Sequence, residues 1–145
     1  MEVSTDALGD CSVSGASSVT QTTAACDGEV VVTGVVDNVD LTSTGLETNV
    51  GLELDLASIS DSATGGTINS DDGDVLLTVP ANGNFSILAL TQQGVVDTGT
   101  LPNDCEEQVA EERSKTVTCG TGGPEYEVNA CLDGVGECNI VISYR

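Results

Sequence analysis

An all-β chain is the fold class this sequence predicts: an antiparallel β-sandwich, or barrel, of about 8–10 short strands. Three observations lead there. The first is the stretch from Thr48 to Ala57, where Val50, Leu52, Leu54 and Leu56 alternate with Asn49, Gly51, Glu53 and Asp55. Side chains alternate across a strand, so this is a strand with one aliphatic face and one polar, acidic face. The second is the scarcity of aromatic residues, with no Trp, one Phe and two Tyr. Val, Leu and Ile must then fill the core, and β-branched packing suits sheets. The third is six cysteines, at positions 11, 26, 105, 119, 131 and 138, in a chain without His or a C-x-x-C pair. An even set of that kind points to disulfides in an oxidising compartment rather than to a metal site. At 145 residues the chain is expected to be a single domain, 1–145.

Taken in order, residues 1–28 are rich in Ser, Thr and Ala and read as short strand and turn, bracketed by Cys11 and Cys26. Glu29 to Val36 is a strongly β-prone run, buried on both faces or bulged at Gly34. Residues 37–45 read as a turn leading into the 48–57 strand, and 58–73 as a loop. Asp74 to Val79 is a strand stopped by Pro80. Ala81 to Asn84 carries an Asn-Gly step and predicts a hairpin, with Phe85 to Leu90 returning as the partner strand. A short strand follows at 94–98.

Residues 104–114 hold the one candidate helix, because Asp104 and Glu107 are spaced as a capping box. Strands are then expected at 116–119, 125–131 and 138–144, the last two forming a hairpin stapled by Cys131–Cys138. The sequential pairing Cys11–Cys26, Cys105–Cys119, Cys131–Cys138 is one of about 15 connectivities open to six cysteines. Short echoes such as G-V-V-D at 34–37 and 94–97 occur, yet there is no regular period of the solenoid kind.

Charge narrows the function classes. Twenty-four carboxylates against three Lys and Arg give a formal net charge of −21. Such a surface repels nucleic acid and anionic membranes and gathers cations, a composition suited to a saline medium. No apolar run approaches the roughly 20 residues of a spanning helix, so direct membrane insertion is not expected. Nothing near Met1 offers a basic start followed by an apolar run, so the chain is read as the mature form of a secreted protein, extracellular or on the cell surface.

The absence of His removes Ser-His-Asp and Cys-His arrangements and His-containing metal sites. The glycine stretch at 120–123 lacks the Lys of a phosphate loop and reads as a turn. Two dozen carboxylates guarantee some pair at hydrolase spacing, so a pair carries no information, and no enzyme is expected. Calcium is the more serious candidate. Asn69, Asp71, Asp72 and Asp74 cluster in a Gly-bearing stretch with the hard oxygens Ca²⁺ prefers, and Asp37, Asn38 and Asp40 form a second group. Neither has EF-hand spacing, and solvated turns favour the same residues. Asn84-Phe85-Ser86 is a glycosylation sequon at an expected turn.

These readings combine into an expectation of a disulfide-bonded structural subunit that assembles with copies of itself, as a filament, pilus-like fibre, surface layer or coat. Segment 1–10 and the strand at 138–145 are the extended ends available for strand addition. The alternative is a calcium-dependent adhesion or ligand-binding domain.

Overall fold

The structure, a computed structural model, describes residues 2–4, 11–13, 21–26, 30–36, 38–43, 50–132 and 136–145. The described residues form strands and no helix. The first eight strands are β1 (Glu2–Ser4), β2 (Cys11–Val13), β3 (Gln21–Cys26), β4 (Val30–Val36), β5 (Asn38–Ser43), β6 (Val50–Ser58), β7 (Gly65–Ser70) and β8 (Asp74–Val79). They alternate between two sheets, odd-numbered strands in one and even-numbered strands in the other. Each odd–even pair is therefore one coil of a winding chain, and each coil stacks on the next. Two further strands, β9 (Phe85–Thr91) and β10 (Val96–Asp97), make a fifth coil. A hairpin of β11 (Cys105–Glu111) and β12 (Ser114–Cys119) then extends the first sheet, and a sixth coil follows as β13 (Glu125–Ala130) and β14 (Ile140–Tyr144).

The eight-stranded sheet has the order β1-β3-β5-β7-β13-β9-β12-β11, and the six-stranded sheet the order β10-β14-β8-β6-β4-β2. The sixth coil thus lies between the fourth and the fifth. Of the twelve described pairings ten are parallel, and two, β11–β12 and β12–β9, are antiparallel. The expected all-β, two-sheet, disulfide-bonded architecture is present, while its antiparallel character holds only for β9, β12 and β11. The chain is a two-sheet parallel solenoid.

The core lies between the sheets and is built from rows of like residues. Val30, Leu52, Val75, Ile140 and Val96 stand opposite one another along the smaller sheet, and Val32, Leu54, Leu77 and Ile142 form the next row; all are buried. The larger sheet answers with Leu41, Ile68, Val128 and Ala89. Aliphatic rows of this kind need no large side chain, and the two largest buried ones, Tyr126 and Phe85, sit in β13 and β9. Leu52, Leu54 and Leu56 face inward and Glu53 is exposed, as the alternation requires. At Gly34 the strand register shifts and φ is 75°, so the bulge reading of the valine run is correct.

Several local expectations are overturned. Residues 104–114 hold no helix: β11 runs through 105–111, in register with β12 from Cys105 to Val109 and shifted before Glu111, and tied to it by Cys105–Cys119. Alternation of Cys105, Glu107 and Val109 outweighs the capping-box spacing once a partner strand is beside it. Residues 38–43 and 65–70, read as turn and loop, are strands β5 and β7. Their Gly, Ser, Thr and Asn content is low in β propensity, and neighbouring coils impose the conformation. The Asn-Gly turn joins β8 to β9, which lie in different sheets, and Cys131–Cys138 spans another crossing between sheets; neither is a hairpin. A solenoid without a visible period is explained by unequal coils, whose first strands begin at residues 2, 21, 38, 65 and 85.

Candidate functional site

The sixth coil occupies a slot whose two walls are the fourth and fifth coils. β13 is parallel to β7 on one side and to β9 on the other, and β14 is parallel to β8 and β10. Tyr126, Val128, Ala130, Cys131, Cys138, Ile140 and Ile142 face the core and are buried. Gly65 carries a φ of 87°, and a Cβ there would overlap the Glu125 carbonyl, so glycine is what lets β13 approach the start of β7.

Polar side chains at the ends of the strands clamp this coil. Asn129 donates from Nδ2 to Asn69 Oδ1 at 3.0 Å and to Glu127 Oε1 at 3.1 Å. The Asn139 amide donates to Asp74 Oδ1 at 2.7 Å, while Asn139 Oδ1 accepts from the Val95 amide at 3.0 Å. Thr91 Oγ1 donates to the Cys138 carbonyl at 2.7 Å. The Val75 amide donates to the Asn139 carbonyl at 2.9 Å, and the Cys138 amide to the Gln93 carbonyl at 2.7 Å. Asn139 therefore bonds to the fourth coil through its backbone and to the fifth through its side chain.

Two of the four residues read as calcium ligands, Asn69 and Asp74, are among these clamps. Asp71 and Asp72 lie in the crossing from β7 to β8, where the Asp71 amide donates to the Ser43 carbonyl at 2.9 Å and the Asp72 carbonyl accepts from Ser70 Oγ at 2.9 Å. Among the described residues no group of three or more Asp, Glu, Cys or His converges as a metal site would. In the second acidic group, Asn38 Oδ1 accepts from the Thr64 and Gly65 amides at 2.7 and 3.2 Å, and Asp40 Oδ1 from the Thr67 amide at 3.2 Å. Asp37 lies outside the described residues.

Asn84 sits in the turn between β8 and β9, beside the connector from β12 to β13. Its Oδ1 accepts from the Thr121 amide at 3.1 Å and its Nδ2 donates to Asp61 Oδ1 at 3.4 Å. The connector at 120–124 passes over it, with φ of 61° at Gly120 and 71° at Gly122, and the Pro124 carbonyl accepts from the Ser86 amide at 3.0 Å. The sequon side chain thus pins the connector to the turn between β8 and β9.

At the β11 end a polar group faces inward. Glu107 bonds to Thr98 Oγ1 and lies 3.5 Å from Lys115 Nζ, all three largely buried. Tyr144 is close enough that burial first, and the Glu107 carboxylate second, push its phenol up to about 12. Its hydroxyl is enclosed and has no hydrogen-bond partner among the described residues. The outer faces carry rows such as Thr33, Asp55, Thr78 and Ser143, with Asp55 held by Arg145 at 2.8 Å.

Disulfides Cys105–Cys119 and Cys131–Cys138 follow the sequential pairing, and bonds of this kind point to an oxidising environment. The Cys11 and Cys26 side chains lie outside the described residues. No helix among the described residues is long and apolar enough to cross a membrane. Asn129, Asn139 and Thr91 were not singled out by the sequence, since an Asn opposite an Asn is visible only once the pairing of β7 with β13 is known. No protein-family model, curated protein or solved structure matches this chain.

Proposed function

We propose that the chain is a non-enzymatic structural subunit, extracellular or on a cell surface, that associates with copies of itself into a filament, pilus-like fibre or coat. The observation that carries this reading is the asymmetry of the two ends of the solenoid. Among the described residues β1 and β2 pair on one side only, leaving a sheet edge at each. The opposite end has two edges: β11, which carries Glu106, Glu107 and Glu111 and a register shift between Val109 and Glu111, and β10, which is only two residues long. Charged, bulged edges resist strand addition and plain ones accept it. An extended stack with exposed carboxylates such as Glu53, Glu106 and Glu127 on its faces supplies shape and spacing, and cations in a saline medium screen the repulsion between copies.

Sedimentation of the native chain across a NaCl series, with and without EDTA at constant ionic strength, tests the proposal. Heavier species are expected as salt rises, with no response to chelator. A monomer at every salt concentration would overturn it, and dissociation by EDTA alone would favour the calcium-dependent domain.

A further inference from the structure

We propose that the sixth coil is an exchange element: the slot between the fourth and fifth coils accepts residues 124–145 from a second copy of this chain. The inference rests on the self-association proposed above and names the segment that would carry it. Within this sequence the coil reaches the other five through the connector at 120–124, which contains Gly120, Gly122 and Gly123. That connector has to cross β9, which separates β12 from β13 in the sheet.

The coil is a unit in its own right. Cys131–Cys138 closes inside it, and Cys105–Cys119 closes inside the preceding hairpin, so neither described disulfide ties the coil to its slot. Recognition is supplied by the inward rows and by the Asn69, Asp74, Asn129 and Asn139 clamps. Every copy carries both halves of that set, so a neighbour's coil meets the same partners as the chain's own, which makes exchange of an identical element a low-cost route to association.

The walls are also prepared for an empty slot. Ile68 and Ala89 both stand opposite Val128, Ser70 and Thr91 both opposite Ala130, and Val75 and Val96 both opposite Ile140. If the coil leaves, the fifth coil can close on the fourth by one strand spacing, about 4.8 Å, with its inner rows already matched. A chain waiting to exchange therefore keeps a continuous core. Glu125, Glu127 and Glu137 on the donated coil meet a body of the same sign, so the exchange needs screening salt.

Paired cysteines on the outer face read the exchange directly. Glu127 and Leu88 stand opposite each other across β13 and β9, Glu127 exposed and Leu88 partly so. Full-length Glu127→Cys and Leu88→Cys chains, mixed at high salt under mild oxidation, are expected to give a covalent dimer that neither variant gives alone. The double variant at low salt should bond within one chain, showing that the positions can bridge. Glu53→Cys on the other sheet, mixed with Leu88→Cys, should give no dimer; a dimer there as abundant as in the first mixture would overturn the proposal. So would heavy, salt-assembled material in which the double variant bonds only within its own chain, and that outcome would leave self-association standing. A monomer at every salt would sink both.

Discussion

Tyr144 shows how one side chain couples the last strand to the far end of the larger sheet. Its phenol is raised to about 12 by burial and by Glu107, against an ordinary value near 10. The folded state holds its proton more tightly than the unfolded chain, so this stabilising term is complete below pH ~10 and is lost as pH climbs from there through about 12. Chemical denaturation between pH 8 and 11.5 should show the loss, and Tyr144→Phe should flatten it. Because the hydroxyl has no partner among the described residues, the same substitution is expected to be neutral or slightly stabilising at pH 8. Core residues behave differently. Leu54→Ala, in the middle of an aliphatic row, should cost roughly 2–5 kcal/mol by denaturant titration. Asp74→Ala leaves the Asn139 amide without its acceptor and should cost about 1–3 kcal/mol.

At the level of elements, legibility tracks how much of a strand's character is local. β6 and β8 were readable because their apolar residues alternate and one face is buried. β5 and β7 were not, because what their polar residues stand against, as Ser43 against Ser70 and Asn69 against Asn129, is revealed by no single segment. β11 was misread as a helix for the complementary reason: its local spacing has a helical meaning that its partner strand overrides. The parallel pairing was illegible because a turn that crosses between sheets uses the same Gly, Asn and Asp residues as a hairpin. The disulfides were the best long-range guide. Replacing Cys131 and Cys138 by Ser should cost about 2.5 kcal/mol in the chain-entropy model. Hydrogen exchange should also quicken in β7 and β9, which share ladders with β13.

For the molecule as a whole, a net charge of −21 sets the conditions under which the stack holds together. Self-repulsion falls as ionic strength rises, so the denaturation midpoint should increase steadily between low and molar NaCl and level off once the screening length is a few Å. The inserted sixth coil has a further consequence for how such a chain can be made. The fourth and fifth coils emerge from the ribosome well before residues 124–145, so their final neighbours do not yet exist. Loss of an end usually frays only an end. Here a premature stop near residue 120 would remove a coil from the middle of the stack, so the final contacts of the fourth and fifth coils wait for residues translated after both.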